Sequence, residues 1–221
     1  MRKDVNMEMK SRRKVLRMLA TGGIAACAAP FVLPSGLNAA TEIPALDTQN
    51  TDILDVINRR RSHRNFTGAS ISQEALDKIL AAGMQAPSAN DCRPWEFVVV
   101  RDIKIIRKIV TQIPAIVYVE KAAALIVTCM DKRIKADEYE MKLLSMACCS
   151  LNMILAAEAL NYGGAWLSMA HHDGNRQGIC KKMLALPDYT EAFNIVAVGV
   201  PVAVIPRENR FEPKRIHLDQ W

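Results

Sequence analysis

Ala86-Pro87-Ser88-Ala89-Asn90-Asp91-Cys92-Arg93-Pro94-Trp95-Glu96-Phe97 is the stretch that says most about the fold. It joins a predicted helix to a predicted strand through a polar loop, because prolines and small polar residues end the helical pattern and an apolar run follows. Held between two prolines, the loop is rigid enough to offer backbone and side-chain hydrogen bonds to a ligand. Taken alone, it is also explained as a capped turn.

Helices and strands alternate on both sides of this loop. Thr51 or Asp52 caps a first helix and Ser72 caps a second. The later predicted elements are a helix capped by Asp102, a strand over 123–129, a long apolar helix over 137–160, a strand over 165–169, a helix over 175–184 and a strand over 194–200. This order predicts one α+β domain over residues 51–221, which ends in a long charged tail.

The net charge of the chain is concentrated at its N-terminus. The 221 residues carry 29 basic and 23 acidic side chains, a formal net charge of +6. Residues 1–40 hold seven of the basic and two of the acidic side chains, which leaves 22 against 21 for the remainder. A basic pI suggests nucleic acid as a partner, but a nearly neutral remainder excludes a broad surface for a polyanion.

Residues 1–40 have the layout of a cleavable export signal. A basic segment, 10–17, precedes an uncharged segment, 18–41, and small residues follow. Ser11-Arg12-Arg13 resembles the twin-arginine signal, a route that exports proteins already folded. We expect cleavage near Ala39 or Ala40.

Residues 41–50 are then a polar linker, membrane contact is transient, and the protein is periplasmic or otherwise exported. Two alternatives stay open. Cys27 lies in a segment that resembles a lipoprotein signal, or the whole leader is retained as an anchor.

A second chemical signal is Arg59-Arg60-Arg61-Ser62-His63-Arg64, at the end of the first helix. Four guanidinium groups and a hydroxyl suit a phosphate, because arginine offers fixed, charge-assisted donors. Solvated cations that stabilise a helix C-terminus are the alternative explanation.

Seven segments together resemble the nitroreductase family in order and spacing, over about residues 51–221. They are Arg-Arg-Ser-His-Arg-Asn-Phe (60–66), Ala-Pro-Ser-Ala (86–89), Pro-Trp-Glu-Phe (94–97), Leu-Asn-Met-Ile-Leu-Ala-Ala-Glu-Ala-Leu (151–160), Gly-Gly-Ala-Trp-Leu (163–167), Leu-Ala-Leu-Pro (184–187) and Val-Ala-Val-Gly-Val-Pro (196–201).

The resemblance implies a nitroreductase-like α+β fold, with a central mixed β-sheet flanked by helices and a C-terminal tail that embraces a partner subunit. It implies a homodimer with FMN at two interface sites and ping-pong electron transfer from a small-molecule donor to a nitroaromatic or quinone acceptor. Because the flavin carries the hydride chemistry, we name no catalytic residue. NAD(P)H is not expected outside the cytoplasm, so we expect another donor, or another flavin reaction such as a dehydrogenation.

The resemblance also implies the cofactor-binding residues. The phosphate and ribityl contacts correspond to Arg60, Arg61, Ser62 and Arg64, completed by the tail residues Arg210 and Arg207. The contacts with the flavin ring correspond to Ser88, Asp91, Leu167, Ser168 and Met169. Asp91 and Arg93 stand where the family more often has Asn and Gln, and an ionised Asp cannot donate as Asn can.

The remaining histidine and cysteine motifs give weaker signals for a functional site. His171-His172-Asp173 lacks partners at ligand spacing, so we predict no metal. Cys148-Cys149 is predicted to lie in the core rather than to form a redox pair, and a redox role for Cys92 stays open. Five cysteines in the exported chain do not imply a full disulfide framework.

Two other functions remain as alternatives: a non-catalytic flavin carrier of the cell envelope, and a membrane-attached interaction module that keeps its leader.

Overall fold

The computed structural model describes residues 52–135, 139–169 and 175–221, which contain five α-helices and four β-strands. In chain order these are α1 Ile53–Arg59, α2 Gln73–Met84, β1 Trp95–Val100, α3 Ile103–Gln112, β2 Ala124–Asp131, α4 Tyr139–Ala159, β3 Gly163–Ser168, α5 Arg176–Met183 and β4 Thr190–Gly199. Short 3-10 segments occupy Ala89–Asp91, Pro114–Val119 and Pro213–Arg215. The predicted leader and linker lie outside the described residues.

The four strands form one antiparallel sheet in the order β1-β2-β4-β3. The α+β fold is confirmed, but the prediction of a mixed sheet needs correction. β2 and β3 do run in the same direction, joined through α4, yet β4 lies between them and pairs antiparallel with both. Among the described residues, parallel pairing is limited to an isolated bridge between Ser62 and Gly164.

Helices cover both faces of the sheet. α2 and α4 pack over Ile126 and Val196 on one face. α3, α5 and the segment Pro114–Val119 pack over Val127 and Ile195 on the other. Successive side chains of a strand point to opposite faces, so a strand buried on both faces has the continuous apolar run that β2 shows.

The long helix α4 forms the centre of one face. By length and composition it is the one helix of the described chain that could cross a membrane, but half of its apolar window is buried within the protein. A core helix meets the same criteria. The helix is buried towards the sheet and α2, whereas an apolar stripe formed by Met141, Leu144, Cys148 and Leu151 stays half-buried or exposed, with Leu144 at 60%.

The predicted helix caps are confirmed. The side chains of Asp52, Ser72 and Asp102 accept hydrogen bonds from backbone N–H groups of the first turns of α1, α2 and α3. Asn175 accepts from the Gly178 N–H at 2.8 Å and caps α5. These contacts are local, so residue type and position were enough to predict them.

Strand β4 begins at Thr190, four residues before its predicted start at Asn194. Glu191 interrupts the apolar pattern there. Its carboxylate accepts hydrogen bonds from the Tyr139 hydroxyl of α4 at 2.7 Å and from the Gln177 amide of α5 at 3.1 Å, so side chains of two helices satisfy it.

The tail, residues 200–221, leaves β4 without regular structure. Its start is fixed, because the Thr67 N–H donates to the Val200 carbonyl and the Val202 N–H to the Asn65 carbonyl. Beyond Arg207, the hydrogen bonds and ion pairs found in the described chain stay within the tail itself. The tail therefore leaves several large apolar side chains exposed: Phe211, Ile216, Leu218 and Trp221.

Candidate functional site

The arginine-rich segment, residues 59–64, lies against the start of β3. Ser62 forms the bridge with Gly164, and the His63 N–H donates to the Gly164 carbonyl at 3.0 Å. A Cβ atom on Gly163 would lie 2.8 Å from the His63 Cβ, so this close approach requires glycine. The Gly163-Gly164 pair thus holds the predicted phosphate ligands beside the strand.

Arg61 is buried and connects three parts of the chain. Its Nη1 donates to the carbonyls of Asn58 at 2.9 Å and Arg60 at 2.7 Å, and its Nε to that of Pro206 at 3.2 Å. A buried guanidinium needs such acceptors. Its Nη2 is buried and has no hydrogen-bond partner in the described chain. Arg61 therefore fixes the tail to α1 and retains one donor for a ligand.

The other predicted phosphate ligands divide into two groups. Arg60 is half-buried and Arg64 exposed, and neither forms an ion pair with a described residue. Arg207 lies close by, since its Nη2 is 2.8 Å from Asp55 Oδ1 on α1. Arg210 instead pairs with Glu208 inside the tail, at 2.9 Å, and no described contact brings it to the arginine-rich segment.

A cavity of ≈ 380 Å³ lies under the start of the tail, lined in part by Arg59, His63, Glu158 and Arg207. Arg59 Nε is 3.6 Å from the carboxylates of both Asp55 and Glu158. Burial lowers the pKa of His63, against the opposing effect of Glu158. These two acidic partners were not predicted from the sequence. Spacing of four residues between Asp55 and Arg59 was a usable signal, but nothing local pointed to Glu158.

The predicted ring contacts at the end of β3 have their side chains on different sides. Leu167 and Met169 are buried in the core, and Ser168 between them is exposed. The Ser168 carbonyl accepts a hydrogen bond from Arg176 Nη1 at 3.1 Å. Of these three side chains, only that of Ser168 lies at the surface.

The Ser88 loop, residues 86–94, is tightly folded. Ser88 Oγ accepts from the Arg93 N–H at 3.0 Å, and the Ala89 N–H donates to Ser145 Oγ of α4 at 3.1 Å. Asn90, Asp91 and Arg93 all have positive φ, between 44° and 53°. Such left-handed residues are uncommon unless a turn requires them.

The Asp91 carboxylate is paired with Arg93, a partner that was not predicted from the sequence. Arg93 donates from Nε to Oδ1 at 2.7 Å and from Nη2 to Oδ2 at 2.6 Å. These hydrogen bonds lower the pKa of Asp91. The two departures from the family pattern therefore form one exposed ion pair.

The predicted residues thus occupy three places. Ser62 lies beside Gly164, four residues before Ser168. At about 3.3 Å per residue, about 13 Å of β3 separates the two positions. The Ser88 loop lies at the same end of the sheet as Ser168 but at the opposite edge, before β1. Three strand spacings separate these edges, about 14 Å.

The remaining candidates are the histidine pair and the cysteines. His171, His172 and Asp173 lie outside the described residues, and no metal-binding group of His, Cys, Asp or Glu occurs among the described ones. The five described cysteines are free. Burial raises the pKa of Cys149 to about 12, which agrees with a core role and not a redox one. Cys92 is half-buried, and its redox role stays open.

Comparison with known proteins shows which family this is. Residues 57–125 match the model of the Nitroreductase family. A protein of Methanothermobacter thermautotrophicus, provisionally named NADH dehydrogenase/NAD(P)H nitroreductase, is 33% identical over 77% of this chain and 88% of its own. A Clostridium acetobutylicum structure provisionally named NADH oxidase is 34% identical, with a TM-score of 0.70 over 76% of this chain and 100% of that chain. A Desulfovibrio desulfuricans structure, provisionally named a nitroreductase and solved with FMN, is 26% identical, with a TM-score of 0.66 over 77% of this chain and 98% of that chain. The chain belongs to the nitroreductase family.

Proposed function

We propose that this protein is a homodimer that transfers electrons from a small reduced donor to an electron-poor acceptor through bound FMN. As a nitroreductase family member, the chain is an FMN-dependent oxidoreductase. The observation that carries the proposal is the arrangement around β3: Arg60 and Arg64, without ion pairs in the described chain, lie beside its start, and the exposed Ser168 ends it. FMN also has two ends, a phosphate and a ring, joined by a ribityl chain.

The residues at both ends suit this cofactor. At the first, Arg61 Nη2 is a buried donor without a partner in the described chain, and Arg60 and Arg64 have no ion pairs there. A phosphate dianion accepts several such charge-assisted hydrogen bonds. At the second, Ser168 lies exposed between two buried residues. FMN would supply the hydride chemistry, while these residues bind it, orient it and stabilise negative charge on its reduced ring.

Three observations support a homodimer. The Ser88 loop lies about 14 Å across the sheet from β3, so a second subunit is the direct way to bring both to one flavin. The apolar stripe of α4 follows the 3-4-3 spacing of a helix–helix seam. The tail exposes large apolar side chains that the protomer does not cover, including Phe211 and Trp221.

The proposal extends to the acceptor and the donor. Nitroaromatics and quinones are the acceptor classes that membership in this family favours. Two relatives are named for NADH or NAD(P)H, whereas an exported enzyme would need another donor. Stopped-flow reduction with NADH and NADPH decides between them: rapid reduction at micromolar cofactor would exclude our expectation of a non-nicotinamide donor.

The first test is the flavin itself. We expect the purified protein to have a flavin spectrum with one FMN per chain. Arg60→Ala with Arg64→Ala should weaken FMN binding at least about tenfold, while Lys104→Ala, exposed on α3, should not. A colourless wild-type protein that does not bind added FMN would overturn the proposal. Readily exchanged FMN without turnover of any acceptor would favour a flavin carrier.

We also propose that the protein is exported by the twin-arginine route, on the basis of Arg12-Arg13 and the uncharged segment after it. The mature N-terminus, determined by mass spectrometry, should lie near residue 40. Arg12→Lys with Arg13→Lys should retain the precursor in the cytoplasm. An intact N-terminus on the folded protein, or a modified Cys27, would contradict this proposal.

A further inference from the structure

A groove between α3 and α5 lies on the sheet face opposite α2 and α4. Its volume is ≈ 590 Å³, and no residue that the family resemblance assigns to flavin lines it. Volumes of about 300–1,000 Å³ are usual for small-molecule sites. Because the apolar stripe of α4 lies on the other face, the proposed homodimer would leave this groove open to solvent.

The groove is strongly cationic. Arg107, Lys108 and Lys182 line it, and none of them has an ion-pair partner in the described chain. Together α3 and α5 carry six basic and no acidic side chains, although residues 41–221 are nearly neutral as a whole. Uncompensated cations around a concave surface attract an anion.

The groove is also apolar. Ile179 and Met183 of α5 contribute to its lining and are partly buried against the core below α3. They are recessed between two helices, so a flat bilayer would reach the cations at the rim but not these side chains. A single molecule that carries an apolar chain or ring could contact both.

We infer that this groove binds a small amphipathic anion, with a carboxylate, sulfonate or phosphate on an apolar body. The cations of α3 and α5 hold the anionic group, and Ile179 and Met183 contact the apolar part. The inference does not depend on the proposed flavin chemistry, because it uses different residues on a different part of the surface.

Isothermal titration calorimetry of the full, flavin-loaded chain with decanoate tests this inference. We expect saturable binding of about one decanoate per chain, and at least tenfold weaker binding of decanol and of inorganic phosphate. Arg107→Glu with Lys182→Glu should weaken decanoate binding at least about tenfold. Lys104→Glu with Lys181→Glu is the matched control, since it also reverses one charge on each helix but at positions outside the groove lining, and it should change the affinity less than twofold. An unchanged flavin spectrum shows that each variant is folded.

Two outcomes would overturn the inference. One is the absence of saturable decanoate binding, or binding that the double variant leaves unchanged. The other is adsorption to phosphatidylglycerol vesicles, but not to phosphatidylcholine vesicles, without binding of free decanoate. In that case the face would be a membrane-docking surface and not a site for a single anion.

Discussion

At the residue scale, Asp91 and Arg93 show how two departures from a family pattern can compensate each other. An unpaired Asp91 would set a negative charge in the loop predicted beside the flavin ring, where it would disfavour the reduced, anionic ring. The two hydrogen bonds from Arg93 neutralise that carboxylate in the protomer. Because both side chains are exposed, we attribute little stability to the pair and assign its effect to local charge.

His63 makes stability depend on pH. Burial lowers its pKa below the ordinary value of about 6.5. The unfolded chain therefore takes up a proton at a higher pH than the folded chain. The contribution of neutral His63 to stability is present above about pH 6.5 and is lost as the pH falls from there towards the folded pKa.

We expect the free energy of unfolding, measured by urea denaturation from pH 5 to pH 7.5, to decrease below about pH 6.5 by at most about 1.4 kcal/mol per pH unit from this residue. His63→Gln should flatten that part of the profile. His217→Gln is the control, because His217 is exposed in the tail and its replacement should leave the slope unchanged. A slope that persists in His63→Gln would assign it to other groups.

At the scale of elements, the contact between α2 and α4 depends on a glycine. A Cβ on Gly83 would lie 2.7 Å from Met153 Cγ and 3.2 Å from Cys149 Sγ, and both neighbours are fully buried. Gly83→Ala would gain about 1 kcal/mol of helix propensity but would overpack the core by about 1–3 kcal/mol.

We expect a net destabilisation of about 1 kcal/mol for Gly83→Ala, measured by chemical denaturation. The cause can be isolated with Met153→Ala, which removes the clashing Cγ. In that background Gly83→Ala should become neutral or stabilising. If Gly83→Ala costs the same in both backgrounds, the contact with Met153 is not the reason.

Elements whose determinants are local could be predicted from the sequence, and those determined by distant contacts could not. Ser72 and Asp102 cap their helices as expected. The early start of β4 depends on Tyr139 and Gln177, which satisfy Glu191 from other elements. The candidate site shows the same division between local and distant contacts. The arginine-rich segment was predicted from the sequence, but the burial of Arg61 depends on Pro206, 145 residues away.

At the scale of the whole molecule, the uncovered apolar surface and the divided site lead to the same conclusion. The sheet is covered on both faces, yet Leu144 and Leu151 of the α4 stripe stay 60% and 49% exposed. Large apolar side chains that remain exposed together mark an interaction surface. A twofold arrangement through α4 would bury this stripe against its own copy, as an isologous interface requires.

We therefore expect the wild-type protein to be a dimer in analytical ultracentrifugation, and Leu144→Arg with Leu151→Arg to weaken dimerisation by about a hundredfold or more, because two buried cations would face their own copies. If the Ser88 loop completes the flavin site of the partner, the same variant should also bind FMN more weakly. Ile105→Arg, on the exposed side of α3 on the other face, should change neither property. A monomeric wild-type protein that binds FMN stoichiometrically would contradict the shared site, whereas a double variant that stays dimeric would place the interface elsewhere than on α4.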